Sequence, residues 1–238
     1  MPVTFDAVGP SSSGASSAGS TTLTWSHTIG AGSTRWLRID IAVGQNPEGG
    51  IAVDAVTFNG VAASFIAQRH SNDQAAGFIE SWGLVAPASG THTVSVTLSG
   101  AAWTIIGGSR SYDGVDQTTP YRNATSAAGN SALASVTVAS ASGNMVGDAV
   151  AAGRSLGTSN QTSRWLRNVN GDTGAGNAAA ADADGASSVS LTRTVTSDWW
   201  ASIGLDIVAA GGGGSTVGRL VGGTLCGGVL VGGLLTGL

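Results

Sequence analysis

Apolar residues recur at every second position through most of this chain. That period of two constrains its fold more than any other feature. In Thr22–Ile29, Leu23, Trp25, His27 and Ile29 alternate with Thr24, Ser26 and Thr28. In Arg35–Val43, Leu37, Ile39, Ile41 and Val43 alternate with Arg38, Asp40 and Ala42. His92–Leu98 sets three apolar residues against Thr93, Ser95 and Thr97, and Trp199–Ile207 sets its apolar set against Ser202, Gly204 and Asp206. Successive strand side chains point to opposite faces, so each segment predicts a half-buried antiparallel strand, apolar inward and small-polar outward. Fainter alternation in Val3–Val8, Ala52–Phe58, Val61–Gln68, Gly77–Val85, Trp103–Tyr112, Leu133–Ala139, Met145–Ala151, Arg164–Val169 and Ser188–Val195 raises the expectation to about thirteen strands.

Turn chemistry agrees. Phe58-Asn59-Gly60-Val61 predicts a tight hairpin, because Asn and Gly tolerate positive φ. Pro47-Glu48-Gly49-Gly50, Pro87-Ala88-Ser89-Gly90 and Ser142-Gly143-Asn144 punctuate other strands. No window shows a helical stripe. The expected fold is all-β, an antiparallel sandwich or jelly roll over residues 1–210. Ser11–Ser20 and Gly171–Ala186 are rich in Ser, Gly and Ala and are expected as flexible loops. Gly211–Gly214 reads as a linker, followed by an apolar tail over 215–238. Thr34–Arg38 is echoed by Ser163–Arg167, and Trp103–Ile106 loosely by Trp200–Ile203, which raises two related halves as an expectation.

Composition excludes several functions. The chain has 238 residues, 10% charged and 42% hydrophobic, with a net charge of -4. Disordered chains combine high net charge with few apolar residues, so a packed fold is expected here. All ten basic residues are Arg and they are scattered, which argues against a nucleic-acid groove. The single cysteine, Cys226, permits no intrachain disulfide. The opening MPVTFDAVG has neither the basic nor the apolar region of a signal peptide, so synthesis in a cytoplasm is expected, with retention there or exit by lysis or a specialised route.

The segments Leu23–Thr28 (LTWSHT), Val56–Ala62 (VTFNGVA), Gly83–Gly100 (GLVAPASGTHTVSVTLSG) and Ser111–Pro120 (SYDGVDQTTP) follow one another in a familiar order. Over residues 1–210 the chain resembles a widespread group of β-sandwich domains, jelly-roll-like, found in phage virion structural proteins and bacterial surface proteins. The resemblance rests on strand and turn signatures. It implies a structural or binding role rather than a reaction.

Catalytic constellations do not emerge. Nucleophilic catalysis needs Ser or Cys with an oriented base, and there is no G-x-S-x-G elbow and no histidine near Cys226 in the sequence. Only two Glu occur, Glu48 and Glu80, so no carboxylate pair stands out for glycosidase chemistry. His27 and His92 lie on the apolar phase and are expected as satisfied core or rim residues; His70 falls in a polar loop. Asp182 and Asp184, with Asp172 across the loop, resemble a fragment of a calcium loop that lacks its third ligand and distal Glu, against a plain solvated turn. No other cofactor is expected. Trp36, Trp165 and Trp200 flank polar positions and are candidate ligand-facing rings for sugar stacking, the competing reading being that a loop or neighbour covers them.

The tail is the remaining signal. Leu220, Leu225, Leu230 and Leu235 recur every fifth position with glycine pairs between, joined by Leu234 and Leu238, and no charge appears after Arg219. Nineteen uncharged residues approach the ~20 a membrane helix needs, but glycine pairs make poor helix, so a membrane anchor is the weaker expectation. Burying six Leu and three Val yields roughly 13–27 kcal/mol gross, opposed by chain ordering. Four five-residue units cannot enclose a core alone. These leucines are therefore the expected docking or oligomerising residues, with identical subunits or other virion proteins as partners. The expected function is a non-enzymatic bacteriophage virion structural protein (capsid decoration, head fibre or tail-associated subunit), assembled in the host cytoplasm. The alternative is a secreted or cell-surface carbohydrate-binding module with a host glycan as partner. Edge strands without Lys also suit pairing with neighbours.

Overall fold

Alternation carries through into strands, but the strands stack in more layers than one sandwich needs. The computed structural model describes residues 1–9, 14–16, 19–169 and 176–211. Among them lie sixteen strands and no helix. The first ten are β1 (Thr4–Val8), β2 (Gly14–Ser16), β3 (Ser20–Ile29), β4 (Trp36–Gly44), β5 (Val53–Phe58), β6 (Val61–Ala62), β7 (Ser64–His70), β8 (Phe78–Val85), β9 (Gly90–Ala102) and β10 (Thr104–Asp113). The remainder are β11 (Tyr121–Val138), β12 (Met145–Ala152), β13 (Leu156–Ser159), β14 (Thr162–Asn168), β15 (Asn177–Asp184) and β16 (Val189–Ile207). All pairings are antiparallel.

The first half is a two-sheet sandwich. Its inner sheet runs β1-β10-β4-β8-β7, with β2 also on β10, and its outer sheet runs β3-β9-β5-β6. Leu37, Ile39, Ile41 and Val43 of β4 meet Leu23, Trp25, Val94, Val96 and Phe58 of the outer sheet in one core. The Asn59-Gly60 turn has φ of 52° and 75°, the left-handed pair that joins twisted strands without splay. Gly107 of β10 lies directly under the Trp25 indole, where any side chain would collide.

The second half repeats this arrangement in fewer pieces. Its sheet runs β11-β16-β12-β15-β14, with β13 on β16. The β11–β16 ladder breaks register between Ser131 and Leu133. Beyond the break, Leu133–Val138 and Val189–Thr194 lie over the outer face of the same sheet, so that Gly204 packs beneath Val136 and Val138. The start of β11 thus occupies the place of β1 and its end that of β3, while β16 supplies the counterparts of β9 and β10. Strand order then matches throughout. The bulges match as well: β7 breaks register at Phe65/Ala67 against β8, and β14 at Ser163/Trp165 against β15. Val94-Ser95-Val96-Thr97 of β9 and Val189-Ser190-Leu191-Thr192 of β16 fall in corresponding strands.

The two inner sheets pack on each other about an approximate two-fold axis. β1 meets β14, where the Arg164 guanidinium lies 3.6 Å from the Phe5 ring centroid, and β7 meets β11. β10 meets β15, β8 meets β16, and β4 crosses β12. Each pair exchanges with another under the strand correspondence. The Trp103–Ile106 echo does fall in related strands. The Arg-Trp-Leu-Arg echo does not, because Trp36 opens β4 whereas Trp165 sits in β14, the counterpart of β7.

The structure corrects four expectations. β4 and β12 are buried along their whole length, so Arg38 and Asp40 face the second half instead of solvent. Ser202, Gly204 and Asp206 are likewise covered, by the folded-back end of the β11–β16 hairpin. The Gly171–Ala186 segment is not all loop: Asn177–Asp184 is an interior strand, its alanines flanked by β12 and β14. Similarly Gly14–Ser16 within the Ser-rich segment pairs with β10. Residues 212–238, with the tail leucines, lie outside the described residues.

Both halves point the same way along the stack. At one pole the Met1 ammonium donates to the Ala210 carbonyl at 3.1 Å, Val115 bridges Ala209, and Val3 N donates to Gly143 O at 2.8 Å. The N-terminus, the connection between halves and the exit toward the tail therefore share that pole. The other pole carries the 45–52, 71–77 and 153–155 connections and Trp103. Gly77 there has φ +60° and leaves no room for a Cβ against the Val43 carbonyl oxygen. Gly77→Ala is expected to lower stability by at least about 2 kcal/mol in denaturant unfolding, since both the left-handed backbone and the close approach oppose it.

Candidate functional site

Two features of the structure concentrate polar chemistry: a buried charge network between the halves and an open cleft at the far pole. The network begins at Asp40. Its Oδ1 accepts from Arg38 Nε at 2.8 Å and Ser81 Oγ at 2.6 Å, and its Oδ2 accepts from Arg110 Nη2 at 2.8 Å. Arg38 also donates to the carbonyls of Gly147 (2.7 Å) and Ile203 (3.2 Å), and Arg110 to those of Ala181 (2.9 Å) and Asp148 (2.8 Å). Arg110 further pairs with Asp182, whose Oδ1 accepts the Tyr112 hydroxyl at 2.9 Å and whose Oδ2 accepts Arg164 Nε at 2.9 Å. Arginine suits this place because its planar fork serves several acceptors at once. Arg38, Arg110 and Tyr112 all donate across to the second half, in six bonds, so the network fixes how the halves sit together.

This geometry revises the calcium expectation. Asp182 and Asp184 belong to a strand, not a loop, and both carboxylate oxygens of Asp182 are taken by guanidinium and phenol donors. Asp172 lies outside the described residues. Among the described residues no group of three His, Cys, Asp or Glu could hold a metal.

The candidate sugar-facing tryptophans are also corrected. Trp36, Trp165 and Trp200 are 1%, 2% and 7% exposed. Arg38 beside Trp36 is buried between the halves, and Arg164 beside Trp165 pairs with Asp182 and lies over the Phe5 ring. Trp36 stacks on Tyr121 of the second half at 6.1 Å, and Trp200 donates to Ser131 Oγ at 2.9 Å. The exposed indole is Trp103, at 58%, on the junction of β9 and β10.

The histidines are committed to structure. His27 is fully buried, with Nδ1 2.8 Å from Ser109 Oγ and Nε2 3.0 Å from Ser111 Oγ. Burial lowers its pKa to about 4 against the opposing pull of Asp6, so the ring is neutral at pH 7. His70 ends β7 instead of lying in a loop. Its Nδ1 accepts from Asn72 N at 3.0 Å, so Nε2 carries the proton that it donates to Asn46 O at 3.0 Å. Neither ring has a lone pair free to act as a base. His92 packs edge-on against Phe58 at the sandwich rim.

Asp148 faces a different core, where its Oδ1 accepts from Ala181 N at 2.7 Å. It lies under the folded-back hairpin with Arg193 and Ser202, and its Oδ2, Arg193 Nε and Ser202 Oγ have no hydrogen-bond partner among the described residues. Burial raises the Asp148 pKa to about 6, against the attraction of Arg193 and Arg110. A carboxyl raised above its unfolded value weakens folding above pH 6 and ceases to do so as pH falls toward the unfolded value. Asp148→Asn removes that dependence. Its stability relative to the parent is expected to be about 2–3 kcal/mol more favourable near pH 8 than near pH 4, read from denaturant midpoints at the two pH values.

The cleft has a volume of about 470 Å³ and opens at the far pole between the 45–52 connection and the end of β7. Glu48, Gly49, Ile51, Gln68, Asn72 and Phe78 line it. Asn46 holds its shape, donating to Ile51 O and accepting from Ile51 N, both at 2.9 Å. No helix among the described residues is long and apolar enough to cross a membrane. No family model matches the chain, and no curated protein shows significant similarity to it.

Proposed function

We propose that the chain is a non-enzymatic structural subunit of a bacteriophage virion, a capsid decoration, head-fibre or tail-associated protein. Its jelly-roll-like halves form the displayed body, and residues 215–238 attach that body to identical subunits or other virion proteins. The observation that carries this reading is the polarity of the stack. The chain leaves the sandwich beside its own N-terminus, at one pole of a rigid body. An apolar segment joined there holds the body end-on and leaves the opposite pole clear. Support also comes from the titratable groups: the network carboxylates and the His27 and His70 rings are spent on holding layers and loops together. Such a body suits repeated display on a particle more than turnover of a substrate.

Removing residues 212–238 tests the reading. The shortened chain is expected to keep the thermal transition of the parent and to sediment as a monomer, whereas the full chain assembles or co-sediments with particles. A full chain that stays monomeric at high concentration, or a shortened chain that still assembles, overturns the attachment role.

A further inference from the structure

We infer that the far-pole cleft is a binding site for a neutral, hydroxyl-rich ligand, a saccharide unit presented to the displayed end of the body. Comparison of the two halves singles it out. In the second half three residues, 153–155, connect β12 to β13. In the first half the corresponding connection from β4 to β5 takes eight, 45–52. These added residues form one wall of the cleft, so the cleft is an elaboration of one copy on an otherwise repeated frame. Loops carried on a rigid scaffold are where binding residues concentrate.

The cleft is preformed. Asn46 closes the Pro47–Gly50 turn from both sides, and Gly50 N donates to Pro47 O at 3.0 Å. The His70 imidazole ties Asn46 O to the Asn72 amide across the base. Asn46 N donates to Gln74 O at 2.9 Å and anchors the whole connection to the 71–77 loop. A rigid site of this kind loses little entropy when it binds, and its volume falls in the range of small-ligand sites, ~300–1,000 Å³.

The lining chooses the ligand class. Gln68 donates one amide hydrogen to Glu80 Oε1 at 2.9 Å, which leaves its carbonyl oxygen and its second N–H for a ligand. Glu48 is exposed and makes no ion pair among the described residues. The Asn72 side chain is exposed. The lining therefore mixes acceptors from Glu48, Gln68 and Asn72 with amide N–H donors from Gln68 and Asn72, a set matched by hydroxyls, which both donate and accept. Pro47, exposed, and Ile51, half-buried, supply apolar surface for a C–H face, while the Phe78 ring is buried in the sandwich core beneath. A ligand with many hydroxyls and an apolar face satisfies both. Arg69 also borders the cleft, but it is paired opposite Ile79, whose side chain packs into the core between the halves.

The test uses the full chain, labelled with ¹⁵N, and the methyl glycosides of glucose, galactose and N-acetylglucosamine as probes. Saturable amide shifts are expected at Gly49, Gly50 and Asn72 with at least one of the three. Ala52→Trp, which fills the cleft from an exposed position, is expected to weaken that binding at least tenfold, and Glu48→Gln to weaken it severalfold with an unchanged melting temperature. No shift with any probe overturns the site, as does binding that survives both substitutions. Shifts produced by acetate or phosphate but by no glycoside overturn the ligand class, since they point to Arg69 instead. None of these outcomes bears on whether residues 212–238 mediate assembly, which the truncation decides separately.

Discussion

Asp40→Ala is expected to destabilise the protein by about 3–5 kcal/mol, a large share of the total stability of an ordinary domain. The substitution removes little apolar volume. It removes the one carboxylate that both Arg38 and Arg110 share, and both guanidinium groups are fully buried. Arg38 would then keep Ser81 and two carbonyls, and Arg110 would keep Asp182 and two carbonyls. Carbonyl dipoles do not neutralise a desolvated cation, so the penalty falls on the arginines left behind. Asp40→Asn separates charge from shape: it keeps the size and one acceptor oxygen, and should recover only a small part of the loss. A double substitution replacing Asp40 and Arg38 by Leu and Met should recover more than Asp40→Asn, because it removes charge in pairs. Thermal and denaturant unfolding of the four proteins checks the ranking. If Asp40→Ala costs less than about 1 kcal/mol, the network is solvated enough to behave as a surface ion pair and the account of the interface fails.

The same network explains where the sequence is legible and where it is not. Strand phase can be read directly. Leu37, Ile39, Ile41 and Val43 point into the first sandwich, Val94, Val96 and Leu98 meet them, and Ala201, Ile203, Leu205 and Ile207 share one face. The Asn59-Gly60 hairpin follows from its own backbone requirement. The fate of the opposite face is hidden. Arg38 and Asp40 alternate with apolar residues in a pattern that ordinarily marks solvent, and only a second sheet carrying Gly147, Ala181 and Asp182 turns that face into an interior. The signal is nonlocal, since the partner of Arg110 is some seventy positions away in the chain.

Small residues conceal β15 for a related reason. Asn177-Ala178-Ala179-Ala180-Ala181 has no β-branched side chain and reads as loop. In the fold it is an interior strand, flanked by β12 and β14 and packed against the first half, where short side chains let the sheets approach. The duplication is equally faint. Corresponding strands share order, register and bulges, yet Ile39 and Leu98 on one side correspond to Asp148 and Arg193 on the other, so identity has been lost where the cores diverged. Trp36 and Trp165 mislead because neighbouring arginines suggest water, while their own rings fill the gap between the halves.

Trp36→Ala is expected to cost about 3–5 kcal/mol as well, by a different mechanism. The indole is buried on the inner sheet of the first half, 6.0 Å from the Tyr112 ring and 6.1 Å from that of Tyr121, which belongs to the second half. Gly83 lies beneath it, with room for a Cβ only if the indole moves. Truncation therefore opens a cavity bounded on one side by backbone that cannot collapse and on the other by Tyr121. Trp36→Phe keeps most of the contact and should lose about half as much. Because the cavity is apolar, the loss should be insensitive to salt and to pH between about 6 and 8, unlike a loss carried by charge. The two substitutions together probe how the halves are joined. If the two-fold interface makes one cooperative unit of them, each variant unfolds in a single transition at lower temperature. If one half stands alone once the interface is weakened, Trp36→Ala shows two calorimetric transitions where the parent shows one. The first outcome is expected, since Asp40, Trp36, Tyr112 and Tyr121 bind the inner sheets into a common interior that neither half can enclose by itself.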